Sequence, residues 1–246
     1  MAEQLDAKGR VALITGANRG IGFEIAKALA GKGATVLIGA RKAESGIEAM
    51  NAIREKGGTA EVIAIDLIDQ ASITAAAAQI EDQFGRLDIL VNNAGISVER
   101  GKEPSESDVG LMRQTYETNV FGTVAVTNAM LPLLRKSDAG RIVNVSTGLA
   151  SFALRSGPDA PFSHMRSLAY NTSKAAVNAV TLNYANELEG SSVKINAANP
   201  GLCATDLTGG KGRPAEQGAA AAVELALIGA DGPNGGFFND EGRIPW

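Results

Sequence analysis

The chain has little of what many kinds of protein depend on. It has one cysteine, Cys203, so no disulfide can form within it, and one histidine, His164, so no pair of histidine ligands can hold a metal. Cys203 reads as a small packed residue, with no obvious base beside it, and no metal site is expected. Aromatic residues make up only 4%. No apolar run approaches the ~18 residues needed to cross a bilayer, and the opening MAEQLDAKGR is polar, so neither a membrane span nor a secretion signal is expected. Basic blocks are missing as well: 23 basic against 27 acidic residues leave a net charge of -4, a poor match for a phosphate backbone. From these absences neither nucleic acid nor membrane is expected as a partner, and a cytoplasmic protein is expected.

What the sequence does have is 246 residues with 45% apolar content, enough for one large core. Short β-rich runs at 11–15, 35–39, 60–65, 87–91, 141–145 and 193–198 alternate with helical stretches at 21–31, 43–56 and 70–84. Further helices are expected over 106–135, 168–189 and 214–229, with GGFF near 236 as a last strand and Pro132 bending or ending the longest helix. Strands apolar on both faces and separated by helices specify a parallel sheet covered on two sides, a doubly wound α/β fold. Residues 1–246 read as a single Rossmann-type domain. Segments 149–167 and 207–215 break the rhythm and read as loops rich in Gly, Pro and Ser.

Two clusters carry chemistry. In VALITGANRGIGFEIAKALA the first strand runs into Gly16, Gly20 and Gly22 and then a helix, a turn in which backbone N–H groups can cradle a pyrophosphate. The spacing G-x-x-x-G-x-G differs from the commoner G-x-G-x-x-G. An NAD site places an acid after strand two to bind the ribose hydroxyls, yet no Asp or Glu occurs from 25 to 43. Arg41 stands there, and Arg19 lies within the glycine turn, so two guanidinium groups favour the extra phosphate of NADP(H). The second cluster is YNTSK. On a helix Tyr170 and Lys174 share a face, and a positive charge ~4 Å from a phenol at an effective dielectric of ~20 is worth ~4 kcal/mol, about three pKa units. Such a phenol, brought near neutrality, would exchange a proton with a reacting oxygen.

TGANRGIG, NNAG at 92–95, Asn119, Ser146, YNTSK and NPG at 199–201 occur in one order along nearly the whole chain, and together they resemble the short-chain dehydrogenase/reductase family. Phe23 and Glu24 after the glycine turn, Arg41, the long segment before Tyr170 and the final IPW are most similar to its NADPH-dependent carbonyl reductase branch. The resemblance implies a seven-stranded parallel sheet, one NAD(P) per chain, and hydride transfer between nicotinamide and a carbonyl or alcohol carbon of a small-molecule substrate. Carried onto this sequence, Tyr170 is the general acid, Lys174 lowers its pKa and binds the nicotinamide ribose, Ser146 holds the substrate oxygen, and Asn119 binds a water leading from Lys174 to solvent. The cofactor would lie against Gly16, Asn18, Arg19, Gly20, Ile21, Gly22, Arg41, Asp66, Leu67, Asn93, Ala94, Gly95, Tyr170, Lys174, Pro200, Gly201 and Thr205. Singly, Ser146 also reads as a helix cap, Asn119 as a buried polar group, Lys174 as a snorkelling residue and Asp66 as a cap.

Tyr170 follows Ser146 by 24 positions, about twice the family's usual separation. The extra residues, among them Phe152, Leu154, Pro158, Pro161, Phe162, His164 and Met165, either wall a substrate pocket or cover the helix faces through which relatives oligomerise. The second reading favours a monomer. Glycines 209, 210 and 212 suggest a lid over about 203–215. The leading function is NADPH-dependent reduction of a ketone or aldehyde. The alternatives are an NADP-linked alcohol dehydrogenase working oxidatively and a non-catalytic dinucleotide sensor. A serine hydrolase is excluded, because Ser146 in NVSTG lacks the first glycine of a G-x-S-x-G elbow.

Overall fold

Apolar residues on both faces of each inner strand need cover on both sides, and the fold supplies it. The computed structural model describes residues 6–99, 103–157 and 159–246; Pro158 and the first five residues lie outside them. The elements are β1 (Val11–Thr15), α1 (Gly20–Gly31), β2 (Thr35–Ala40), α2 (Ala43–Arg54), β3 (Thr59–Ala64), α3 (Gln70–Phe84), β4 (Ile89–Asn92), α4 (Val109–Tyr116), α5 (Gly122–Leu134), β5 (Arg141–Val145), α6 (Leu168–Glu187), β6 (Lys194–Ala198), α7 (Ala215–Ala226), β7 (Phe237–Asn239) and β8 (Gly242–Arg243). They form one sheet in the order β3-β2-β1-β4-β5-β6-β7-β8. The first seven strands pair in parallel, and β8 adds a short antiparallel edge that the seven-strand expectation did not include.

Alternation along β1 sorts the core into two layers. Ala12 and Ile14 pack with Ile25 and Leu29 of α1 and Ala222 of α7, whereas Val11 and Leu13 pack with Ile80 of α3, Val126 and Met130 of α5. The strand order reverses between β1 and β4, and in open parallel sheets such a switch point, beyond the carboxyl ends of the strands, is where ligands bind.

The helix expected over 106–135 is broken. A 3-10 turn at Pro104–Glu106 precedes it, and the Asp108 carboxylate accepts from the Gly110 N–H at 2.6 Å, which starts α4 at Val109. A π turn, Glu117–Phe121, then separates α4 from α5. Hydrophobic periodicity does not register a one-residue insertion of that kind. Pro132 sits in the last turn of α5, which stops at Leu134. Strand β4 begins at Ile89 rather than at 87, because the Leu87 N–H donates to the Leu133 carbonyl at 3.2 Å instead of joining the ladder. Among the described residues no helix is long and apolar enough to cross a membrane.

Candidate active site

The glycine turn is built as a cradle. Gly16 and Gly20 adopt φ of 64° and 59°, and a Cβ on Gly22 would lie 2.6 Å from the Gly16 carbonyl and collide with the Asn93 amide. Arg19, at the N-cap of α1, makes no side-chain cap bond, and the first turn carries no acid, so the helix N-terminus is left open to an anion. Asn93 ties this turn to β4: its Nδ2 donates to the Thr15 and Gly16 carbonyls at 2.9 and 3.2 Å, while its own N–H and that of Ala94 donate to Thr15 Oγ1, each at 3.0 Å. Asn92 turns the other way, into a buried network, donating to Thr127 Oγ1 and Asn144 Oδ1 at 3.0 and 2.9 Å. Of NNAG, Asn92 alone is tied into that network, while Asn93 and Ala94 bond to the end of β1. Ile21 packs against the core and Asn18 is partly buried.

At the end of β2, Ala40 stands where an acid would select NAD, and Arg41 follows, exposed and without an ion pair among the described residues. Arg19 reaches across the mouth to Asp206 at 2.5 Å. After β3, Asp66 Oδ1 accepts from the Ile68 N–H at 3.2 Å, and Leu67 is buried. The cap of α3 is Asp69, not Asp66.

Ser146 and Lys174 meet at the end of β5. Ser146 follows the last residue of that strand, with its N–H on the Ala198 carbonyl at 2.7 Å. Lys174 Nζ donates to the carbonyl of Val145 at 2.7 Å. A Cβ on Gly95 would lie 3.4 Å from that Nζ and 3.3 Å from Asn119 Oδ1, so the floor after β4, the lysine and the asparagine meet at one point. Asn119, in the π turn, is fully buried; its Oδ1 accepts from the Ile96 N–H at 2.8 Å, and its Nδ2 donates to the Ile96 carbonyl and Ser173 Oγ at 2.9 and 3.0 Å. Tyr170 sits one turn before Lys174 on α6, and among the described residues its hydroxyl has no hydrogen-bond partner.

The electrostatics depart from the expectation of a phenol drawn toward neutrality. Burial pushes the Tyr170 phenol up to about 12 and the Lys174 ammonium down to about 8. Desolvation disfavours the charged form of both groups, and the lysine spends its charge on a backbone carbonyl. Tyr170 is therefore held protonated.

Pro200, Gly201 and Thr205 follow β6 as expected. Gly201 has φ of 70°, and the methyl of Thr205 would lie 3.3 Å from a Cβ on Gly20, which sets the 203–215 segment against the glycine turn. The 203–215 segment is pinned at both ends: Cys203 and Arg213 form a β-bridge, and Arg213 grips Asp240 at 2.6 and 2.9 Å and the Pro200 carbonyl. Cys203 is buried, donating to Pro200, and burial pushes its thiol up, as befits a packed residue. In the 149–167 segment Phe162 lies over Gly148, close to the end of β5, and Ser151 Oγ donates to the Pro245 carbonyl of the IPW tail at 2.8 Å. His164 is exposed.

Three residues escaped the sequence reading. Thr15 organises the β4 turn as described. Glu99, buried, accepts from the Ala169 N–H at 2.9 Å and from Ser107 Oγ, capping α6 across 70 positions, since Ser167 makes no side-chain cap bond. Asn178 holds Ser146 Oγ at 2.6 Å. No motif announces Glu99; Asn178 continues the four-residue spacing of Tyr170 and Lys174 and was legible in principle.

The sequence matches the model of the short chain dehydrogenase family over residues 10–215. The chain belongs to that family. As a short-chain dehydrogenase it is an oxidoreductase of the class that uses a nicotinamide dinucleotide. It is 39% identical over 225 residues to short-chain dehydrogenase anuI of Penicillium roqueforti, covering 89% of this chain and 88% of that one. It is 31% identical to carbonyl reductase (NADPH) 1 of Rattus norvegicus, covering 96% of this chain and 98% of the relative. The NADPH-bound carbonyl reductase from chicken fatty liver superposes with a TM-score of 0.83 at 25% identity, over 97% of this short-chain dehydrogenase and 100% of that chain.

Proposed function

We propose that this enzyme reduces a ketone or aldehyde to an alcohol with NADPH. The observation that carries the reading is Lys174 anchored at the end of β5 beside Ser146, with Tyr170 one turn before it on α6 and kept protonated by burial. The residues fit the dinucleotide: the cradle that a Cβ on Gly22 would fill, the open N-terminus of α1, and Gly95 beside Lys174 would hold its pyrophosphate and nicotinamide ends. Arg41 and Arg19, with no acid after β2, favour the form carrying the extra phosphate. Asp66 and Leu67 would flank the adenosine, and Pro200, Gly201 and Thr205 the nicotinamide side. Bound NADPH supplies the hydride.

The protein's part is to place charge and protons. Ser146 orients the carbonyl oxygen and stabilises the negative charge that grows on it. A phenol near 12 is a poor acid toward water, but an alkoxide is basic enough to take its proton, so Tyr170 would give up its proton only to an oxygen that already carries negative charge. The Lys174 ammonium, about 8, is still charged at neutral pH and stabilises the phenolate left behind. Reprotonation runs from Lys174 past Asn119. Phe162 and its neighbours wall the substrate side. Two surface cavities of about 450 and 370 Å³ lie on the opposite side of α6, between Asn171, Thr172 or Ala175 and the 149–167 segment, so the same insertion lies over the outer helix face, in keeping with a monomer.

The test is NADPH oxidation followed by absorbance against 2-octanone, acetophenone and camphor, with NADH as control. Turnover is expected with NADPH, and Tyr170→Phe should abolish it while leaving NADPH affinity near normal. Undiminished reduction by Tyr170→Phe refutes the mechanism.

A further inference from the structure

The family's catalytic row on α6 ends at Lys174, but the geometry continues it by one turn. Tyr170, Lys174 and Asn178 are spaced four apart on one face of α6, and Lys174 and Asn178 both reach the segment around Ser146. Ser146 and Asn178 are 1% and 5% exposed, so neither side chain can exchange its partner for bulk water. Ser146 Oγ donates to Asn178 Oδ1 at 2.6 Å, and Asn178 Nδ2 is buried with no partner.

That arrangement cannot serve reduction as it stands. A serine has one hydrogen to donate; while it points at Asn178 Oδ1, none is left for a substrate oxygen. The unpaired Nδ2 shows the remedy. Half a turn of the carboxamide exchanges its two ends, places the unpartnered N–H against Ser146 Oγ, and turns the serine from donor to Asn178 into acceptor from it. Its hydrogen is then free to meet a carbonyl oxygen at the crevice. Resting on the reductase reading above, we infer that Asn178 is a positioning residue for Ser146, whose carboxamide sets the direction of the serine's hydrogen bond and thereby makes Ser146 a donor to the substrate. Neither a carboxylate, which only accepts, nor an alkyl group, which does neither, can fill that role.

The experiment is a double-mutant cycle on the full-length enzyme, using NADPH and whichever ketone of the panel is turned over fastest. Asn178→Asp pins the serine hydrogen, and kcat should fall about 100-fold, as for Ser146→Ala, in line with removal of one oxyanion donor. Asn178→Leu leaves the serine unoriented, and kcat should fall about tenfold. NADPH affinity, measured by fluorescence titration, should stay unchanged, and neither substitution should lower kcat further in the Ser146→Ala background. Circular dichroism melting checks folding; if the aspartate variant unfolds, the leucine variant carries the cycle. Losses that multiply with Ser146→Ala, or a wild-type kcat in the variants, overturn the inference. A wild-type kcat in Ser146→Ala alone brings down the parent reading as well, which separates the two failures.

Discussion

Replacing Lys174 by methionine should change how stability depends on pH in a way that only a buried, desolvated ammonium can produce. The side chain is 4% exposed, and burial brings it from 10.5 down to about 8. An unfolded lysine holds its proton up to ~10.5, so between the two values the unfolded state binds one proton more than the folded state. Stability of the wild type therefore rises with pH across that window, and the burden of the buried charge is present in full below about 8. At ~1.4 kcal/mol per unit the full window is worth about 3 kcal/mol, of which about 2 kcal/mol is reached between pH ~7 and ~9.5. Lys174→Met carries no titrating group there. Tyr170, raised to about 12, acts in the opposite sense above pH ~10, but it is common to both proteins and cancels in the difference. Urea denaturation of both proteins at the two pH values measures the gap. It should shift by about 2 kcal/mol in favour of the wild type on going to the higher pH. Parallel stabilities would mean that Lys174 titrates as an ordinary surface lysine and that the buried site is misread.

Three further perturbations test the parts around it. Glu99→Ala removes the acceptor for the Ala169 N–H and for Ser107, and should cost about 1–2 kcal/mol by urea midpoint, whereas Glu99→Gln, which keeps an acceptor, should lose less; equal loss in both would discount the cap. Gly22→Ala forces a Cβ to within 2.6 Å of the Gly16 carbonyl, and NADPH affinity measured by fluorescence should fall at least tenfold; an unchanged value would show that the cradle opens freely. Arg41→Asp should weaken NADPH at least tenfold more than NADH by the same titration, and equal losses would remove Arg41 from the recognition of the extra phosphate.

The sequence by itself determined the doubly wound fold, because alternation of short β-branched runs with Ala-rich helical stretches leaves few other ways to bury both faces of a sheet. It also marked the glycine turn and the four-residue spacing of Tyr170 and Lys174, which are local properties, whereas Ser146 was singled out only by the resemblance to the family. The α4 start at Val109 rests on a local cap, Asp108, that the long apolar periodicity of the segment masked, whereas the inward rotation of Asn92 was not legible because its partners Thr127 and Asn144 lie 35 and 52 positions away. Tertiary structure alone brought Glu99 to the start of α6 and Asn178 to Ser146, contacts that span 70 and 32 positions. It also reversed the sign of the expected shift on Tyr170. Charge proximity can be read from spacing, but desolvation depends on everything packed around the group, and here that surrounding packing decided the outcome.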